Sequence, residues 1–371
     1  MTSPSQQAAQ QVRAGIRTAT RGLVGRDQLA ELIMLAAVAQ EHLLVIGPPG
    51  TAKSAVVRRV AQTMGGRYFE YLLGRFTEPS ELFGPVDLRK LREGSVETDT
   101  AGMLPEAEVA FLDEVFLGST AILNTLLGIL NERRFRRGHT QLHCPLRVCI
   151  GAANSLPDDA SLAAFGDRFL LHAFVEPSAD HQLEAMLEGG WQADQPAAAT
   201  EISLADIDLL CAAAREADMS AVRPILAQAI RQLRGAGINL SDRRIVKSQR
   251  LIAAAAVLAG RMSADASDLW PLLYALPTQE AQQQAREVLR EQLAACANGV
   301  LASAVETAAV QPLSRVSRLM ENAQSALNAE TDRSAIEALL REIDANFSAD
   351  GMPDELAASR EKLTARLAEP A

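Results

Sequence analysis

The period of the apolar positions changes along the chain. Over 26–39, Leu29, Leu32, Ile33, Ala36 and Ala37 recur at helical spacing. Residues 42–46 then form a short apolar run that stops at Gly47-Pro-Pro-Gly50, as a buried strand entering a loop does. Helical spacing returns over 54–64. Further buried-strand candidates lie at 68–73, 109–112 and 146–153. Between 120 and 133, Ile122, Leu126, Ile129 and Leu130 share one helical face, and 134–144 reads as a hairpin. Strands alternating with helices over 26–175 predict an α/β fold, a parallel sheet covered by helices. From about 202 to 371 only Ala/Leu-rich helical patterns remain.

These changes divide the chain. Residues 1–21 read as a polar N-terminal tail, frayed or helical. Residues 22–178 read as the α/β core, with an insert at about 74–107 too long for a simple connection. Residues 179–277 read as a helical domain and 278–371 as an all-α C-terminal extension. Breaks at Gly189-Gly190, Gly235-Ala-Gly237 and Gly351-Met-Pro353 punctuate the helical part.

Composition narrows the function. Apolar residues at 48% and charged residues at 22% are globular values, which excludes wholesale disorder. Aromatics are only 4%, so the core is built from Ala, Leu, Val and Ile. The net charge of −10 argues against duplex DNA as a default partner. Residues 281–371, with nine basic and fourteen acidic side chains, supply half of that excess. No apolar run reaches the length of a membrane span, and residues 1–11 lack the apolar stretch of a secretory signal. Cys144, Cys149, Cys211 and Cys296 sit in apolar stretches without CxxC spacing, which fits reduced thiols in a cytoplasmic protein. His139, His143, Cys144 and Cys149 match no common zinc spacing.

The strongest chemical signal is Gly47, Pro48, Pro49, Gly50, Thr51, Ala52, Lys53 and Ser54, after an apolar strand and before a helix. A triphosphate needs a concave ring of backbone N–H groups, and a helix N-terminus adds more with a favourable dipole. Lys53 then reaches the β- and γ-phosphates, and the Ser54 hydroxyl holds Mg²⁺. Only four lysines occur against 32 arginines, and one stands here. The general pattern has glycine where this chain has Ala52; its methyl group fits if the residue keeps a negative φ at the helix start. Val109-Ala-Phe-Leu-Asp113-Glu114 supplies a second half. Asp113, ending a buried strand, faces the metal through its bound water, and Glu114 polarises an attacking water.

With Asn154 ending a later strand, these motifs resemble the AAA+ ATPases. The wording is closest to the MoxR family and, within it, the RavA-like branch. The resemblance rests on Gly47–Ser54, Arg75-Phe-Thr-Glu-Pro-Ser-Glu-Leu-Phe-Gly84, Leu104-Pro-Glu-Ala-Glu108, Phe111-Leu-Asp-Glu114, Ile122-Leu-Asn-Thr-Leu-Leu127, Asn131-Glu-Arg133 and Ser241-Asp-Arg-Arg244. It covers about 20–275. It implies an AAA+ core with an all-α lid at 179–277, ATP and Mg²⁺ as cofactors, and ATP hydrolysis. It implies that Asn154 is the first sensor, orienting water with Glu114. Arg243 matches the second sensor, expected to touch the γ-phosphate of its own chain, with Arg244 as the neighbouring alternative. Arg168, in Phe165-Gly-Asp-Arg168-Phe169, matches the arginine finger that reaches a neighbour's ATP. A finger acting in trans requires a homo-oligomer, a hexameric ring by resemblance.

The resemblance also implies a chaperone-like motor that remodels or matures a protein client with a von Willebrand factor A domain partner. A chelatase or Rubisco-activase type subunit is the alternative, and a nucleic-acid motor a more distant one. The hairpin Arg133-Arg-Phe-Arg-Arg137 is open to three uses: pairing with the next subunit, contact with client, or contact with nucleic acid.

Overall fold

The computed structural model describes residues 3–178, 182–192, 202–309, 319, 323, 333–346 and 354–368. They fall into two compact units. The larger comprises 1–21, 26–176 and 196–309; the smaller comprises 22–25, 177–195 and 310–371.

In the larger unit, helix α1 (Pro4–Thr20) begins with a reciprocal cap. The Ser3 hydroxyl accepts from Gln6 N at 3.2 Å, and the Gln6 side chain accepts from Ser3 N at 3.0 Å. Its buried face, Ala8, Val12, Ile16 and Ala19, follows a helical period. The expected polar tail is therefore a packed helix. The signal was faint because half of that face is alanine. Helix α2 (Asp27–Ala39) is buried along almost its whole length, consistent with its apolar spacing.

The sheet follows. Strand β1 (Leu43–Ile46) leads through the phosphate-type loop into α3 (Lys53–Met64) and then β2 (Tyr68–Leu72). The insert contributes α4 (Pro79–Phe83) and α5 (Leu88–Arg92), with Val86 bridging Thr98. Strand β3 (Val109–Asp113) precedes α6 (Thr120–Glu132) and the hairpin β4 (Arg134–Arg137) and β5 (Thr140–His143). Strand β6 (Val148–Ala153), α7 (Ala160–Gly166) and β7 (Leu171–Phe174) complete the core.

Strands β1, β2, β3, β6 and β7 form one parallel sheet in the order β2-β3-β6-β1-β7. Their apolar runs are continuous because both faces of β1, β3 and β6 are covered. Strand β6 lies between β1 and β3. The chain leaving β6 therefore emerges between the loop leaving β1 and the acids leaving β3. A crevice at the carboxyl ends of parallel strands, where the strand order reverses, is the usual ligand position in such sheets.

The helices of the second half of this unit are α9 (Leu204–Glu216), α10 (Val222–Gly235), α11 (Asp242–Leu258), α12 (Pro271–Tyr274), α13 (Gln279–Val288), α14 (Arg290–Ala294) and α15 (Ala302–Ala309). The expected boundary at 278 does not coincide with the edge of this unit. Glu31 of α2 accepts from Ser303 N and Ala304 N, at 3.2 and 2.6 Å, and the Tyr274 hydroxyl donates to Ala304 O at 2.7 Å. The first turn of α15 is thus tied to α2 and α12.

The smaller unit holds α8 (Leu183–Gln192), α16 (Arg333–Asn346) and α17 (Asp354–Ala368). Its core is Leu319, Ala323, Ile336, Leu339, Ile343, Leu356 and Leu363. Arg360 and Asp344 pair across α16 and α17 at 2.6 Å. No described helix is long and apolar enough to cross a membrane.

Candidate nucleotide site

At the finishing end of β1 the chain makes the turn its composition requires. A Cβ at Gly47 would lie 2.2 Å from the Val175 carbonyl oxygen, so only glycine lets the two backbones pass. Gly50 has φ +80° with open space beside it. Ala52 has φ +61°, in the left-handed region. The expectation of a negative φ there is corrected: the loop needs its last residue before α3 to turn left-handed. That conformation is costly for alanine by ~1–2 kcal/mol.

Lys53 opens α3 and is buried. Its ammonium donates to Gly47 O at 2.7 Å and Pro48 O at 2.9 Å, folding the side chain back over the loop. Burial lowers its pKa, opposed by Asp113 and Glu114, which face it. The Thr51 hydroxyl donates to Pro48 O at 2.9 Å. Ser54, half-buried, stands in the first turn of the same helix.

Asp113 ends β3, and Glu114 follows with φ +50°. Asp113 Oδ1 accepts from Glu114 N at 3.0 Å. The tight turn aims the second carboxylate back across the sheet end. There Asn154 Nδ2 donates to Glu114 Oε1 at 2.5 Å. A side chain leaving β6 thus meets one leaving β3, as the strand order requires.

Arg26 was missed by the sequence reading. It is 8% exposed and ties the loop from behind. Its Nε donates to Thr51 O at 2.8 Å and its Nη2 to Glu176 O at 3.1 Å. Both partners are backbone carbonyls far away in sequence, so no motif spacing reports the contact.

The remaining arginines lie elsewhere. Leu171 N donates to His42 O at 3.1 Å, which sets 167–170 level with the start of β1. The phosphate-type loop leaves the opposite end. A four-residue strand separates the two levels by ~13 Å. At the starting end, Asp167 meets two arginines of α11. Arg244 Nε pairs with Asp167 Oδ1 at 2.5 Å, and Arg243 Nη2 lies 3.2 Å from Oδ2. Arg244 also donates to Phe169 O, Leu170 O and Ala275 O at 2.9, 2.9 and 2.7 Å. Arg244 is therefore a structural residue, buried and with four of its five N–H groups engaged. Arg243 and Arg168 each keep a buried Nε that meets no partner among the described residues. The structure brings Arg243 to the Asp167-Arg168 turn. Reaching its own chain's γ-phosphate would require it to leave Asp167 and travel the length of the sheet.

The hairpin arginines also divide. Arg133 is half-buried in a left-handed turn, bonded to Leu130 O, Gln40 O and the His42 ring. Arg137 donates to Gly84 O at 3.1 Å. Arg134 and Arg136 are exposed, the latter 4.0 Å from Glu132.

Residues 10–212 match the family model described as the MoxR domain in the MoxR-vWA-beta-propeller ternary systems. Residues 219–289 match an AAA lid domain. The chain belongs to the MoxR family of AAA+ ATPases. Two uncharacterized proteins of Methanocaldococcus jannaschii are each 36% identical to this MoxR chain over 245 residues, 66% of its length. Chaperone MoxR1 of Mycobacterium tuberculosis is 26% identical over 175 residues, 46% of each chain. The alignments span 65% and 64% of the archaeal relatives' own length. A solved structure described as a putative ATPase from Cytophaga hutchinsonii shares the fold, with a TM-score of 0.62 at 16% identity over 80% of this chain and 97% of that one. The α/β core with an all-α lid is thereby established as an AAA+ fold.

Proposed function

We propose that this MoxR chain is an ATP-hydrolysing ring motor that remodels or matures a protein client. The observation that carries the reading is the meeting of Lys53, Asp113, Glu114 and Asn154 at one end of the sheet, beneath a loop shaped by Gly47 and Gly50.

The donor set fits the groups such a motor uses. The open space at Gly50 and the first turn of α3 leave backbone N–H groups for phosphate oxygens. The Ser54 hydroxyl and the Asp113 carboxylate are hard oxygen donors suited to Mg²⁺, with Asp113 acting through water. When bound, Mg²⁺ neutralises charge that develops on the phosphate oxygens. Lys53 exchanges its two carbonyl partners for the β- and γ-phosphates. Glu114 takes a proton from water, and Asn154 holds its carboxylate in register through the 2.5 Å bond. Arg168 acts on the neighbouring subunit's nucleotide from the far end of the sheet, and Arg243 stands beside that turn. The chain then works as a homo-oligomer, a hexamer in this reading, in the cytoplasm.

A von Willebrand factor A domain protein is the proposed partner. The support is the description of the matched family, whose systems join a MoxR domain to a vWA and a beta-propeller component. The motif wording leads us to the RavA-like branch as the finer placement. With only Arg134 and Arg136 exposed on the hairpin, nucleic acid has little cationic surface there.

The test is Glu114→Gln. Turnover should fall by ~10²–10⁴-fold while nucleotide stays bound. Affinity capture with this variant should retain a protein partner in an ATP-dependent way. Retention of DNA with no protein would sink the reading.

A further inference from the structure

The turn between α7 and β7 carries a charge imbalance that the nucleotide site does not explain. Arg168, Arg243 and Arg244 converge on it, and Asp167 is the carboxylate that pairs with the two from α11. Arg244 is 2% exposed and gives four of its five N–H groups to Asp167 and three carbonyls. Arg243 is only partly covered, its side chain 31% exposed, with a second contact to the Asp167 backbone carbonyl. Arg168 is the next residue along the chain. Both Arg168 and Arg243 hold a buried Nε that meets no acceptor among the described residues.

A planar guanidinium binds an oxyanion best with two N–H groups at once. Partly covered guanidiniums with N–H groups left over, beside one carboxylate that two of them share, favour the arrival of a second anion. The anion that the ring reading brings to this turn is a neighbouring subunit's triphosphate.

We propose that Asp167 is a positioning residue. Its carboxylate holds Arg243 beside Arg168, so that the two guanidiniums meet the neighbour's γ-phosphate as a pair, with Arg244 anchoring the lid helix to the turn. This rests on the ring-ATPase reading above. Asp167 does not touch the nucleotide. It trades part of its hold on Arg243 for the phosphate, so lid and turn move together when the neighbour is loaded.

The test uses the full chain with Asp167→Asn, which keeps an acceptor for Arg244 and loses the charge. The expected result is a fall in kcat of ~10–100-fold, as for lost transition-state contacts, with KM for ATP within ~2-fold. Asp167→Glu should recover part of the loss. In mixed rings, Lys53→Ala subunits carry intact arginines and Asp167→Asn subunits carry an intact loop. Mixing them should give more turnover than the two preparations measured apart. Unchanged kcat overturns the proposal. So does loss of rings, measured by size-exclusion chromatography, or a mixture no better than its components, since each marks a structural role only. Arg168→Ala separates the two readings. If it leaves turnover intact, the ring-ATPase reading fails; if it abolishes turnover while Asp167→Asn is silent, only the role of Asp167 fails.

Discussion

The two ends of the parallel sheet solve different problems. At the finishing end, Lys53, Asp113, Glu114 and Asn154 mix both charge signs within a few strands' width, and short contacts hold them together. At the α7–β7 turn of the starting end, Arg168, Arg243 and Arg244 outnumber Asp167. The first end can hold a phosphate and also process a water, because it has both a cation and a carboxylate base. The α7–β7 turn offers guanidinium groups around one carboxylate that two of them already share. That asymmetry suits the proposed division of the site between neighbouring subunits, in which one surface binds and the other completes.

Left-handed backbone outside glycine occurs at both ends. Ala52 and Glu114, both at positive φ, belong to the finishing end. Such conformations persist where surrounding contacts over-determine them. Here these include Arg26 on Thr51 O and Asn154 on Glu114. At the starting end Gln40 and Arg133 are left-handed as well, tied together by the Arg133 guanidinium on Gln40 O.

The most severe break in the comparison is Arg168→Ala. Turnover should fall by ~10³-fold or more, with nucleotide binding to the same subunit retained, measured by steady-state ATPase and fluorescent-nucleotide titration. Equal loss of both would mean that the starting end does not act in trans. Arg244→Ala should act on stability. Leaving Asp167 and three carbonyls short of a donor should cost ~3–5 kcal/mol, read from denaturant unfolding.

A third measurement serves as a control outside both ends. Glu31 is buried, and its carboxyl is pushed up to about 7, chiefly by burial. A folded-state pKa above the unfolded value gives stability that is complete below about 4.5 and is lost as pH rises through 7. Wild type should therefore lose melting temperature relative to Glu31→Gln between pH 5 and pH 8. A parallel course in both proteins would show that Glu31 is not the group responsible. The smallest expected effect is Ala52→Gly. Relief of the left-handed alanine is offset by glycine's greater unfolded-state freedom, which leaves a gain of ~1 kcal/mol or less. Calorimetry showing a loss would mean that the methyl group contributes packing that outweighs the strain.

The parts legible in the sequence were those written in local pattern. The strand runs, the loop before α3, the acids ending β3 and the hairpin after α6 each follow from neighbouring residues. The segment that forms α1 stays open between frayed and helical in the sequence because small apolar side chains give a weak periodic signal. Arg26 and the separation of Arg133 and Arg137 from Arg134 and Arg136 were illegible for another reason. Their fates depend on carbonyls tens of residues away or more, and an arginine looks alike in sequence whether its partner is backbone or solvent.

By itself, the sequence determined the chemistry available: one lysine in a glycine loop, two acids after a buried strand, and an asparagine after another. Spacing and hydrophobic period sufficed because backbone geometry turns them directly into strand ends and helix starts. The tertiary structure decided which of these groups meet. The order β3-β6-β1 puts Asn154 on Glu114. The packing of α11 against the α7–β7 turn puts Arg243 with Asp167, at the end of the sheet opposite the loop. Strand order and helix docking arise from contacts between distant segments, and no local pattern encodes them.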